Sequence, residues 1–484
     1  MGNLRVGAGK RCITPTEDFF PLVGFMGKKG AEAVYDDLFI RTVLLDNGKT
    51  RTLFLNLDAG PSLDAVFKDE IEAKYQIPAG QILGVWTHNH SANIKWSHDP
   101  AKEKEYKYLK KIVEPAIFGA IDDAVAALQP ARYGFGEGKS YINVNRDRLF
   151  EDGHWMQGPN FEGPSDKTVA VMKFESLSGN LIAAVVNYGC HANAAFMEPD
   201  TDGMIKVSAD FPGFASSYVE ERYGNGAICL WTSGCAGNQN PLGVIGAYRK
   251  YWPDGYSEAV ALPAGSGYII QKAIGQEHAI DIIQTLKEIN RMKENMEMRG
   301  KYNVLDLPGH HPEPGVNVRV TWQICDNNVR KTCPEYLVND RTPPKDTRCK
   351  MIQEGVSHLQ MMVVELGDVA WVGASGELYS ETGMMMKEAS PYTHTVVVTH
   401  THDDAMCNGG YILSDDKKST GYDDPKTQEG IQCWIDMYNE GLSPSASALS
   451  ETTADAMFEG GQLAMNFAGS YMVPEYAGND AIKD

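Results

Sequence analysis

The sequence predicts an α/β fold in which mixed β-sheets and crossover helices form one large domain spanning residues 1–484. Three observations lead there. Apolar runs of strand length alternate with helical patterns along most of the chain. Turn signals such as Asp46-Asn47-Gly48 and Ser178-Gly179-Asn180 join neighbouring runs into hairpins. Neither a linker nor a tandem repeat divides the chain, so the full length is read as one domain.

In order, Leu4 to Gly9 opens the chain as a strand, and Phe39 to Leu45 with Arg51 to Leu57 flank the Asn47-Gly48 turn. Leu63 to Tyr75 is helical and Ile82 to Trp86 is a short buried strand, the strand–helix–strand order of a parallel or mixed sheet. Pro100 to Leu128 carries Ile112, Ile117, Ile121 and Val125 at helical spacing, which predicts one long crossover helix stopped by Gln129-Pro130. After Tyr133 to Gly138 and an Asn-rich stretch over 142–148, the run from His154 to Asn160 reads as a polar, aromatic surface or cleft loop.

Val169 to Phe174 and Leu181 to Tyr188 pair as strands. A helix with Asp or Ser as its cap follows Ser208-Ala209-Asp210 and runs to about Arg222. Ile228 to Trp231 is a strand emptying into the small residues 233–241, and Tyr268 to Arg299 reads as one long helix. Residues 301–350 carry little pattern; His310-His311, between Gly309 and Pro312, is read as a solvated loop. Met361 to Leu366 and Val369 to Ala374 form a hairpin, Leu378 to Lys387 a helix and Thr395 to Thr399 a strand, with helices near 425–440 and 446–467 closing the fold.

Composition excludes several functions. A formal charge of −20 leaves no basic stripe for nucleic acid and disfavours anionic membrane surfaces. No apolar run approaches membrane-spanning length. The N-terminus shows no secretory pattern, and the nine cysteines are scattered without Cys-x-x-Cys pairs, so reduced thiols and a cytoplasmic location are expected. A small diffusible substrate is the expected partner, with a homo-oligomer left open.

Chemistry concentrates in Gly84-Val85-Trp86-Thr87-His88-Asn89-His90-Ser91. With a strand ending at Trp86, the alternation of side chains puts His88 and His90 on one side of its C-terminal end, where open α/β sheets place ligands. Other strand ends supply His191, Glu377 and the pair His400 and His402, with Tyr411 a little beyond. Imidazoles plus a carboxylate suit Zn²⁺ with an open position for water. Spacing alone leaves a shared metal site and scattered structural histidines equally open.

Several blocks, in order, resemble the catalytic domain of the neutral/alkaline (non-lysosomal) ceramidase family. Leu4 to Gly9 with Ile13-Thr14-Pro15 is similar to that family's opening, and Tyr35-Asp36-Asp37-Leu38 with Arg41 to its next block. Thr87-His88-Asn89-His90-Ser91 resembles its Thr-His-Thr-His-Ser, Asn187-Tyr188-Gly189-Cys190-His191 its Asn-Tyr-Ala-Cys-His, and Ser208 to Gly213 its Ser-Ala-Asp-Tyr-Pro-Gly. Gly234 to Pro241 resembles its Gly-Ala-Ala-Gly-Asp-x-Asn-Pro. The resemblance implies a hydrolase holding one Zn²⁺ through His88, His191, Glu377 and Tyr411. It also implies that His90 meets the attacking water or the developing oxyanion, that Arg146 holds substrate, and that Tyr422 assists.

The departures concern substrate. Ala92 to Trp96 replaces a Gly-Pro-Gly, Asn193 and its neighbours replace a Pro-Thr, and His400-Thr401-His402-Asp403-Asp404 is unlike the family's corresponding loop. For that last run a polar specificity loop is preferred over a second metal or a solvated turn. The chain also ends near where the family's C-terminal immunoglobulin-like domain begins, so a small polar substrate is expected rather than a membrane lipid. The expected activity is zinc-dependent hydrolysis of an amide (N-acyl) bond. The alternative is metal-dependent action on a carbohydrate, glycoside hydrolysis or elimination, suggested by the Trp155 loop; a non-catalytic binding protein is a third reading.

Overall fold

The computed structural model describes residues 2–401 apart from 23–29, 60–62, 64, 93, 150–154, 196–197, 243–262 and 309–355. The two closing helices, His310-His311, His402, Asp403, Asp404, Tyr411 and Tyr422 therefore lie outside the described residues.

Strands β1 (Arg5–Cys12), β3 (Phe39–Asp46), β4 (Arg51–Leu57), β5 (Ile82–Trp86), β6 (Gln129–Lys139), β9 (Thr168–Ser176), β10 (Leu181–Tyr188) and β12 (Ile228–Ser233) form an eight-stranded mixed sheet. Its order is β12-β10-β9-β6-β1-β3-β4-β5. A four-stranded sheet, β14 (Met298–Pro308), β15 (Val356–Leu366), β16 (Val369–Ala374) and β17 (His394–Val398), packs on one face. A three-stranded sheet joins β13 (Gln239–Pro241), β7 (Asn143–Leu149) and β8 (Trp155–Asn160); β2 (Ala33–Val34) pairs with β11 (Lys206–Val207).

Both faces of the large sheet are covered, so β3, β4, β5, β10 and β12 are buried nearly throughout, whereas β1 and β6 keep exposed polar positions. Along β3, Val43 and Leu45 enter the core shared with the four-stranded sheet, while Ile40 and Leu44 face helices on the other side. Those helices are α1 (Ala65–Tyr75), α2 (Glu103–Tyr108) and α3 (Glu114–Ala126). Along β10, Ala183 and Val185 join the inter-sheet core, and Ala184 and Val186 pack with α4 (Asp210–Tyr223) and α5 (Ser266–Glu288). No helix among the described residues is long and apolar enough to cross a membrane.

Four sequence expectations need correction. The helix expected over Pro100 to Leu128 is interrupted by a π turn at Leu109–Val113, which ends two residues ahead of Pro115. Proline supplies no N–H and its ring crowds the carbonyl four residues earlier, and the wider turn absorbs both. The helix expected to reach Arg299 stops at Glu288. Ile289 there turns onto β6, where only glycines fit: a Cβ on Gly134 or Gly136 would lie 2.5 or 2.6 Å from its side chain.

The stretch read as a loop at 154–160 contains strand β8. It is the edge of its small sheet, a position that tolerates Pro159. Finally, α4 is capped by Ala209, without a side-chain cap. Ser208 Oγ and Asp210 Oδ1 nonetheless accept the amides of Asp210 (3.1 Å) and Phe211 (2.7 Å) at the helix start, and both side chains also join a polar network beneath the His88 loop.

Candidate metal centre

The large sheets carry three parallel strand pairs: β4 with β5, β10 with β12, and β16 with β17. The chain beyond the C-terminal ends of β5, β10, β16 and β17 supplies His88, His191, Glu377 and His400 in turn. Two bridges hold these ends together. Val85 pairs with Thr401, and the Thr399 amide donates to the Ser233 carbonyl at 2.9 Å. Sequence-distant residues thereby meet at the crevice outside the carboxyl ends of parallel strands.

All four side chains are buried: His88 is 9 % exposed, His400 4 %, Glu377 2 % and His191 1 %. The ring nitrogens offered by His88, His90 and His191 lie within 4.8 Å of one another. His88 Nε2 stands 3.0 Å from His90 Nε2 and 3.5 Å from Glu377 Oε1, and His191 Nε2 stands 3.3 Å from Glu377 Oε2. Donors around a tetrahedral zinc at about 2.0–2.1 Å are separated by about 3.3–3.4 Å, so this spacing suits one ion. The ring planes of His90 and His191 stand at 82° and 73° to that of His88, which lets their in-plane lone pairs converge.

The protonation states fit as well. His191 Nδ1–H donates to the Ala236 carbonyl at 2.6 Å and lies 3.2 Å from that of Gln239, so the lone pair of the neutral ring is at Nε2, facing Glu377. Burial, with Arg146 second, pushes the His191 pKa down, so a second proton at Nε2 is disfavoured. A lone pair opposite a carboxylate oxygen is repulsive unless a positive group lies between them. Burial likewise lowers His88 and His90 well below the usual imidazole value, and His400 to about 4. Burial opposes the charge of Glu377, and protonated rings at His88 and His191 would favour it; with those rings neutral, a bound cation would take over that role. Neutral imidazoles beside a carboxylate are the donor set of a divalent ion.

The turn at His88 is strained and braced. His88 has φ 54°, in the left-handed region that costs a residue with a Cβ. Asn89 clamps it: Nδ2 donates to the carbonyls of Asp58 (3.1 Å) and Ser208 (2.5 Å), and Oδ1 accepts from the Ser91 amide at 2.7 Å. Ser91 Oγ donates to Asp210 Oδ2 at 3.0 Å, and the His90 amide donates to the Ala192 carbonyl at 2.9 Å. Asp210 also has a positive φ, of 51°. Asp36 accepts from Ser208 Oγ and from the Ala209 amide; burial pushes its carboxyl up to about 7.

Arg146 is buried on β7 and anchored by its amide to the Asn238 carbonyl at 2.8 Å and by Nη1 to Asn240 Oδ1 at 3.2 Å. Its charge lowers the pKa of both His90 and His191. Asn193 Nδ2 donates to the same Asn240 oxygen at 3.1 Å. The structure thus brings together His88, His90, His191, Glu377 and Arg146; Tyr411 and Tyr422 fall outside the described residues. His400, which the sequence offered both as a strand-end donor and as the start of a polar specificity loop, packs its ring against that of His88. The repeated Thr-His-x-His was the available signal.

No protein-family model matches the chain, and no curated protein does either. Two solved structures are similar to it. Neutral ceramidase from Pseudomonas aeruginosa aligns with TM-score 0.62 at 18% identity, over 93% of this chain and 77% of that one. A ceramidase complexed with C2 aligns with TM-score 0.64 at 18% identity, over 92% and 76%. The chain has the neutral-ceramidase-like fold.

Proposed function

We propose that this chain is a zinc-dependent amidohydrolase that cleaves the N-acyl bond of a small polar substrate. The observation that carries the reading is the convergence of three imidazoles and Glu377 at parallel strand ends, in donor-ready protonation states. Similarity to solved ceramidase structures supports the choice of an amide bond. His88, His191 and Glu377 would hold the ion, with Tyr411 as the family resemblance implies. When bound, the ion supplies Lewis acidity for a carbonyl and acidifies water.

The protein's own groups account for the rest. His90 is a neutral imidazole whose Nε2 points into the cluster, where it takes up or releases a proton. Arg146 fixes positive charge beside His90 and His191, suited to a substrate oxygen that gains negative charge. The clamp at Asn89 keeps these groups from relaxing, as preorganised electrostatic stabilisation requires.

The test is metal analysis of purified protein followed by a screen of N-acyl amines against glycosides. We expect about one zinc per chain, turnover of an N-acyl amine, and loss of both metal and activity in His191→Ala. His90→Gln should keep the metal and lower kcat by about 10²- to 10⁴-fold. Absence of any divalent ion together with full activity of His191→Ala would sink the reading; turnover of glycosides alone would replace the amide with a sugar bond.

A further inference from the structure

A metal-binding histidine ordinarily has its second ring nitrogen held by a hydrogen bond, which fixes the ring's rotation. His191 follows that rule through Ala236 and Gln239. His88 does not: its Nδ1 is buried and has no hydrogen-bond partner among the described residues. Among the described residues, then, what stops that ring from turning about χ2 is not a hydrogen bond at Nδ1.

Directly against it lies His400. The two rings are 4.1 Å apart between centroids with planes only 9° from parallel, and Trp86 meets them edge-on at 4.9 and 5.7 Å. Both histidines follow a threonine at the end of a parallel-paired strand, and both hold positive φ, 54° at His88 and 56° at His400. The Val85–Thr401 bridge brings the two ends into register. A non-glycine residue is seldom held in this conformation without a compensating contact.

The geometry also says what His400 does not do. A ligated ion lies in the plane of its imidazole, along the lone pair. Two rings stacked face to face direct parallel lone pairs on separate planes, so they do not share one ion in the way that the crossed rings of His88 and His191 can.

We propose that His400 is a positioning residue that orients His88 by face-to-face stacking, in place of a hydrogen bond at Nδ1 that none of the described residues supplies. This rests on the metal-site reading above. It predicts that the requirement at position 400 is a flat aromatic face, not a nitrogen.

Cobalt(II) and zinc affinities, measured by competition with a chelator, test it in wild type, His400→Phe and His400→Leu, with the visible spectrum of the cobalt protein as a second readout. His400→Leu should weaken metal binding by about 10- to 100-fold and alter the cobalt bands, whereas His400→Phe should retain affinity within about threefold. Unfolding of each metal-free variant, followed by circular dichroism, separates loss of fold from loss of metal; should the Leu variant not fold, native-like affinity and bands in His400→Phe still uphold the inference. Equal affinity of both variants with wild type overturns it, as does an equal loss in both. If wild type itself binds neither metal, the metal-site reading has failed and this inference falls with it.

Discussion

His278 illustrates how a single buried side chain sets acid sensitivity. Its Nε2 accepts from the Trp231 indole at 3.2 Å, and its Nδ1–H donates to Ser140 Oγ at 3.0 Å, so both nitrogens are committed to the neutral ring. Burial lowers its pKa from 6.5 to about 3. The unfolded chain therefore takes up this proton first as pH falls, and the native state does not. Stability from this group is fully present above pH 6.5 and is lost progressively towards pH 3. His278→Gln keeps an acceptor and a donor but cannot titrate. Its urea-unfolding free energy should fall less steeply between pH 6 and 4 than that of wild type, by about 1.4 kcal/mol per pH unit.

At the scale of elements, the strand ends are tied to α4 by buried charge. Arg41 on β3 donates from Nη1 to Asp58 beyond β4 and from Nε to Glu220 on α4, each at 2.8 Å, and Lys10 on β1 reaches Glu220 at 2.6 Å. Arg41 is 0 % exposed, so solvent cannot compensate its loss. Arg41→Met should destabilise the protein by about 3–5 kcal/mol, because Asp58 is left buried without its guanidinium partner. Asn89→Ala removes the clamp between β5, Asp58 and Ser208 and should cost on the order of 3 kcal/mol. Because Asn89 shapes the turn at His88, that variant should also lose metal affinity, which a chelator competition measures.

For the molecule as a whole, a site assembled from four distant strand ends exists only in the folded chain. An ion bound there is linked to folding: at a free concentration 100 times its Kd it adds about 2.7 kcal/mol to stability. Zinc should therefore raise the thermal unfolding temperature of metal-stripped protein, and His191→Ala should abolish the shift. An unfolding temperature indifferent to zinc in wild type would contradict the proposed centre.

The sequence by itself determined the strands that carry the site. Ile82 to Trp86 was legible to the residue, and the hairpins at Asn47-Gly48 and Gly367-Asp368 followed from turn chemistry, because burial on both faces leaves uninterrupted apolar runs and turns need particular residues. His88, His90 and His191 were recognisable as donor-type residues placed just past strands. Only the tertiary structure decided which of them meet, since convergence depends on strand order and on parallel pairing, neither of which leaves a fixed spacing in the chain. The end of α5 depended on two glycines more than a hundred residues away, and the π turn on how one helix absorbs Pro115. His400 is the clearest case: its motif was visible as a second Thr-His-x-His. Its place against His88 arises because the β17 end of one sheet docks on the β5 edge of another, a contact between residues 312 positions apart.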